Sequence, residues 1–144
     1  MASVIEEKDQ IRELLANYCH HYDEAEFDRW LALWDADNAS FDIDGHILRG
    51  RAALEKFTRD AEIVNGKPPM KHCIMNEVIA VTGETATASC YLLVVRKLAN
   101  GELLTGTAGR YDDRLVKKNG RWLFAERKVR RDLRDVRNTG GPKK

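Results

Sequence analysis

Between Ile5 and about Glu24 the apolar side chains Ile11, Leu14, Leu15, Tyr18 and Tyr22 recur at intervals of three and four, which predicts a helix with one buried stripe. A shorter helical patch from Phe27 to Trp34 sets Phe27, Trp30, Leu31 and Trp34 on one side, and Asp35, Asp37 and Asn38 break it. The period then changes. Phe41 and Ile43 alternate with Asp42 and Asp44, the signature of a half-buried strand over Ser40 to Asp44. Gly45 and His46 read as a turn into Ile47 and Leu48. A third helical pattern after Gly50 carries Leu54, Phe57 and Ala61 and is expected to end near Gly66, Pro68 and Pro69.

Beyond Met70 the chain is strand-like in four runs, Met70 to Thr82, Thr85 to Leu98, Leu103 to Lys117 and Arg121 to Val129. Gly83-Glu84, Asn100-Gly101 and Asn119-Gly120 separate them, and Asn-Gly between β-rich runs is a strong hairpin signal, so an antiparallel meander is expected. Helices first and strands afterwards predict an α+β fold.

The length of 144 residues, 43% of them hydrophobic, supplies one core, placed in a single domain over residues 1–132 with a polar, flexible tail over 133–144. Lys plus Arg number 24 and Asp plus Glu 23, a net charge of +1, so no chain-wide field favours nucleic acid. The arginine-rich end RKVRRDLRDVRNTGGPKK is interrupted by Asp132 and Asp135 and reads as a solvated or intersubunit end, with a disordered terminus from Gly140. No apolar run approaches membrane length and the start, MASVIEEKDQ, is acidic. The expectation is a cytoplasmic protein without membrane contact. Cys19, Cys73 and Cys90 lack metal-ligand or disulfide spacing and are expected as buried free thiols. His20 and His21 diverge by about 100° on a helix, so no metal site is expected. GxGxxG, Walker, GxSxG and HExxH signatures are absent, which removes most cofactor-dependent chemistry.

The remaining chemical candidates are polar residues inside apolar patterns. Tyr18 lies on the stripe of the first helix, and Asp23 stands five residues later at its expected end, either edging the same cavity or exposed beside Glu24 and Glu26. Period two places His72, Ile74, Asn76 and Val78 on one face and Lys71, Cys73, Met75 and Ile79 on the other. His72 is either a structural histidine or a base for proton transfer. Arg127 shares its face with Leu123, Ala125 and Val129, where a guanidinium needs an anion: a substrate, or an internal carboxylate such as Asp23. Asp42 and Asp44 are expected to point outward.

The segments IRELLANYCHHYDEAEFDRWLALW, DIDG followed by RGRAALEKF, HCIMNEVI with GETATASCYLL, and YDDRLVKKNGRWLFAERKV together resemble the SnoaL-like branch of the nuclear transport factor 2-like superfamily, over roughly residues 5 to 132. That resemblance implies a cone-shaped, curved, antiparallel or mixed sheet wrapped around N-terminal helices, the cystatin-like α+β barrel. Within the branch the chain is similar to scytalone dehydratase, hexachlorocyclohexane dehydrochlorinase and the bile-acid dehydratase, whose Asp/His dyad falls on Asp23 and His72. A tyrosine of the bile-acid enzyme falls on Tyr18, and an arginine of the dehydrochlorinase on Arg127. The dehydrochlorinase's lysine is replaced by Tyr18, and the second strand histidine of scytalone dehydratase has no counterpart.

The expected function is therefore a lyase of the dehydratase type, or an isomerase, acting without cofactor or metal on a small apolar, ring-containing substrate. Asp23 would orient His72 as the general base, with Tyr18 and Arg127 stabilising developing charge. The expected substrate wall is Leu14, Phe41, Ile43, Phe57, Ile74, Asn76 and Val78. Polyketide cyclisation uses the same cone, whereas isomerases of the ketosteroid type place their base where this chain has Ile43. A small-molecule binding protein and a structural partner like the small subunit of ring-hydroxylating dioxygenases are the noncatalytic alternatives. A homodimer or homotrimer is expected, because an open sheet covers its outer face by association.

Overall fold

A computed structural model describes residues 1–135 and 137. The first helix, α1, spans Val4–Asp23 and starts at a capping box: the Ser3 side chain accepts from the Glu6 backbone while the Glu6 carboxylate accepts from the Ser3 backbone. Its stripe of Ile11, Leu14, Leu15, Tyr18 and Tyr22 is buried. Ala25, at φ 58°, reverses the chain into α2 (Phe27–Leu31), which inserts Trp30 into the core.

β1 (Ser40–Ile43) and β2 (His46–Arg49) form a hairpin, and His46 belongs to β2 because Asp44 and Gly45 alone make the turn. The third helix, α3, runs only over Gly50–Arg59. It stops short of Gly66 because its apolar stripe runs out: Ile63 and Val64 are exposed, and Asn65 and Gly66, both at positive φ, make a tight turn bridged by Val64 and Lys67.

The long strands are β3 (Met70–Thr82), β4 (Thr85–Lys97), β5 (Leu103–Lys118) and β6 (Arg121–Arg134). The sheet order is β2-β1-β6-β5-β4-β3, an antiparallel meander of β3 to β6 extended by β1, which pairs parallel to β6. This α+β sheet is mixed, with β2 and β3 as its two edges. β6 runs five residues past Val129, where the last strand run was expected to end, and Leu133 and Arg134, placed in the tail from the sequence, pair with Ala108 and Thr107. The terminus expected to be disordered from Gly140 lies outside the described residues.

The core lies between α1 and one face of the sheet, and α1 is pinned at both ends. Near its start, Trp122 Nε1 and Lys117 Nζ donate to the Glu7 carboxylate at 2.6 and 2.7 Å. At its last residue, Asp23 meets β3. About 24 Å of helix separates the Glu7 contacts from the Asp23 end, which borders a cavity.

Register shifts in β3 and β6 decide which side chains reach that cavity. Between Met75 and Val78 the register of β3 shifts, with Asn76 at φ 59°. The shift inverts the alternation: Ile79 is buried, while Asn76 and Val78 are exposed. Opposite Gly109, β6 carries an extra residue between Arg130 and Leu133. A Cβ on Gly109 would stand 2.1 Å from the Arg130 carbonyl oxygen, so only glycine lets β6 approach this closely. The bulge ends the inward alternation of Arg127, Val129 and Arg131 and brings Arg134 rather than Leu133 to the cavity.

Cys19 and Cys90 are buried free thiols, and burial pushes them up to about 12 and about 11 respectively. Cys73 is exposed, because period two sets it on the outer face with Lys71 and Met75. No helix among the described residues is long and apolar enough to cross a membrane.

Candidate active site

Asp23, ending α1, and His72, third residue of β3, meet although 49 positions separate them. Asp23 Oδ1 lies 2.6 Å from His72 Nδ1, and Asp23 Oδ2 accepts the His72 backbone N–H at 2.8 Å. Both carboxylate oxygens are thus committed to one residue. Asp23 is 3% exposed and sits behind the imidazole. Tyr22 packs edge-on against the ring, centroids 5.5 Å apart, and fixes its plane. With Nδ1 held by the carboxylate, Nε2 is the nitrogen left for the cavity that His72 lines.

The cavity encloses about 220 Å³ between α1, α3 and the sheet. Tyr18, Tyr22, Phe41, Ile43 and Phe57 form its apolar and aromatic side. Burial drives the Tyr18 hydroxyl well above its ordinary range and pushes Tyr22 up to about 12, so both remain protonated donors. The neighbouring Asp23 charge adds to the rise at Tyr22.

Of the expected wall, Phe41, Ile43 and Phe57 line this cavity, whereas Leu14, Ile74, Asn76 and Val78 do not. Leu14 lies one turn before Tyr18 in closed core, and half-buried Ile74 packs against that core. The β3 bulge carries Asn76 and Val78 outward, so His72 and Asn76 do not share a space. Asp42 and Asp44 serve the β1-β2 turn: Asp42 accepts from the Gly45 backbone, and Asp44 binds Arg131 and Arg134.

Arg127 pairs with Asp113 rather than Asp23, because the two stand directly opposite on β5 and β6. Its Nε and Nη2 donate to the two Asp113 oxygens, both at 2.8 Å, and neither side chain is exposed. The guanidinium carbon lies 4.2 Å from the Tyr18 ring centroid, 3.7 Å from Tyr111 and 4.4 Å from Phe124. Burial alone would depress its pKa, but Asp113 reverses the sign and holds Arg127 charged. Arg127 therefore supports the cavity floor through Tyr18 and Tyr111 and does not line the cavity itself.

Sequence reasoning missed Asp113, Arg96, Arg131 and Arg134. The alternation of Tyr111, Asp113 and Leu115 marked Asp113 as inward, and Leu92, Val94 and Arg96 did the same on β4. Among the described residues no group of three or more His, Cys, Asp or Glu side chains is placed to hold a metal ion.

A family model described as a SnoaL-like domain matches residues 3–128. The chain belongs to the SnoaL-like domain family. No curated protein sequence matches this SnoaL-like chain. Among solved structures, it is similar to Rv3472 in an Asp-to-Asn variant, a protein of unknown function from Mycobacterium tuberculosis. The TM-score is 0.76 at 26% identity, covering 90% of this chain and 76% of that one. A Nostoc punctiforme protein of unknown function with a cystatin-like fold gives 0.75 at 22% identity, covering 90% and 93%. A Novosphingobium aromaticivorans protein assigned as a scytalone dehydratase gives 0.74 at 20% identity, covering 90% and 86%. The last two show the fold, which hosts more than one function.

Proposed function

We propose that this SnoaL-like protein is a lyase of the dehydratase type, working without a cofactor on a small apolar substrate that contains a ring. The observation that carries the reading is the commitment of both Asp23 oxygens to His72, which leaves Nε2 for the cavity. The oriented ring borders a hollow whose other side is aromatic, the arrangement that a base facing an apolar ring requires.

In the proposed step His72 Nε2 takes a proton from a substrate carbon beside a carbonyl. The C–H electron pair becomes the new C=C bond, and the C–O bond to the departing hydroxyl breaks. Tyr18 donates a hydrogen bond to that oxygen. Because burial makes its hydroxyl a poor acid, the proton that completes water returns from His72. Asp23 stabilises the transient imidazolium as the orienting carboxylate. Isomerisation would use the same base and return the proton to a different carbon. The position used by ketosteroid-type isomerases is occupied by Ile43, an aliphatic part of the cavity wall, which weighs against that mechanism.

The test is a panel of β-hydroxy ketones on apolar rings, followed by the ultraviolet absorbance of the conjugated product. The reading expects at least one compound to be dehydrated by the parent and not by His72→Ala. Tight binding of an unchanged compound, with no product across the panel, would favour a noncatalytic binding protein.

The reading includes self-association through the outer sheet face, where Met75, Val78 and Tyr91 are exposed. Sedimentation velocity at micromolar concentration should give a dimer or trimer, and a monomer alone would contradict it.

A further inference from the structure

We propose that the substrate carries a carboxylate, bound at a wall of the same cavity formed by Arg96, Arg131 and Arg134. The inference builds on the proposed function for the identity of the site and adds the charge class of its ligand. The three guanidiniums reach the cavity from separate strand positions: Arg96 two residues past Val94 on β4, Arg131 two past Val129 on β6, and Arg134 through the bulge opposite Gly109.

Only two carboxylates contact them among the described residues. Arg96 Nη2 donates to Glu62 at 2.6 Å, and Glu62 is itself 54% exposed. Arg131 Nε donates to Asp44 Oδ2 at 2.6 Å, and Arg134 Nη2 binds that same oxygen. Glu62 thus serves Arg96 alone, while Arg131 and Arg134 share Asp44. Each guanidinium has five N–H donors, and at most two of its nitrogens are engaged in any of the three.

Side-chain exposures of 13% for Arg96 and 26% for Arg131 show both already partly withdrawn from water. A neutral apolar occupant would strip the remaining water from these charges and return nothing. A carboxylate replaces that water with charge-assisted, forked hydrogen bonds to the guanidinium donors that Glu62 and Asp44 leave open. The aromatic side at Tyr22, Phe41 and Phe57 takes the ring, so an apolar acid spans both halves of the cavity. Holding its carboxylate at one wall selects which ring carbon is presented to His72.

The test is calorimetric titration of 2-naphthoate and its neutral isostere 2-naphthamide at low ionic strength and neutral pH. The acid should bind at least about tenfold more tightly than the amide, the scale of one charge-assisted hydrogen bond. The preference should disappear in Arg131→Gln/Arg134→Gln combined with Asp44→Asn, which leaves no stranded carboxylate. It should shrink in Arg96→Gln, whose partner Glu62 is solvated, with thermal melts confirming that each variant folds. Asp23→Asn should keep the preference, so loss of the base reading leaves this result standing. Equal affinities, failure of the acid to bind at millimolar concentration, or a preference that survives the arginine replacements would overturn the proposal.

Discussion

His72→Ala is expected to lower turnover by about 10² to 10⁴, the contribution of a positioned general base, without lowering the melting temperature to match. The imidazole lies at the cavity edge and its ring contributes one side-chain hydrogen bond, to Asp23, so its removal leaves the aromatic core intact. Asp23→Asn is the sharper variant. The amide keeps size and polarity but can present only one oxygen to two donors, the ring Nδ1 and the His72 backbone N–H. Either the ring loses its orienting partner or the backbone does. Where a comparable carboxylate was neutralised in a catalytic triad, the loss was about 10⁴. Asp23→Asn should therefore approach His72→Ala in activity, and the double variant should be little worse than either, because the two act as one unit. Turnover within a few-fold of the parent in purified, folded variants would be incompatible with the dyad.

The largest effect on stability is expected at the ion pair under the cavity. Arg127→Met strands the Asp113 carboxylate, and Asp113→Leu strands a guanidinium whose Nη1 has no hydrogen-bond partner among the described residues. Each single change should cost about 3–5 kcal/mol, the usual result of leaving one buried charge unpaired. Changing both together should recover most of the loss, since well-packed apolar side chains can replace a buried pair at little net cost. Urea denaturation of the four proteins measures this directly. Single variants that each lose less than about 1 kcal/mol would show that the buried charges are relieved by relaxation or water. Turnover by the double variant then separates stability from chemistry. Arg127 lies against the Tyr18 ring but does not line the cavity, so the folded double variant should retain a working His72.

Local structure was largely legible because it is written at short range. The stripe of α1, the alternation of Phe41 and Ile43, and the Asn119-Gly120 turn each depend on neighbours a few positions away. The meeting of Asp23 with His72 spans a separation of 49 positions, and no spacing rule reaches that far; it entered as an expectation only through the resemblance of the chain to a family. Bulges were the main obstacle. One extra residue inverts every side chain beyond it, which is why Ile79 is buried where Val78 was expected, and why Arg134 reaches the cavity in place of Leu133. Arg127 was read as inward from its apolar neighbours, but its partner required the cross-strand register that sets Asp113 opposite it.

The account turns on which ring nitrogen of His72 carries the proton when the imidazole is neutral. Long-range proton–nitrogen correlation spectra of labelled protein assign it from the nitrogen shifts. The proton should reside on Nδ1, against Asp23, leaving Nε2 bare, and Asp23→Asn should disturb that assignment. A proton found on Nε2 would contradict the account, because the nitrogen bordering the cavity would then be a donor with no capacity to take a proton from carbon.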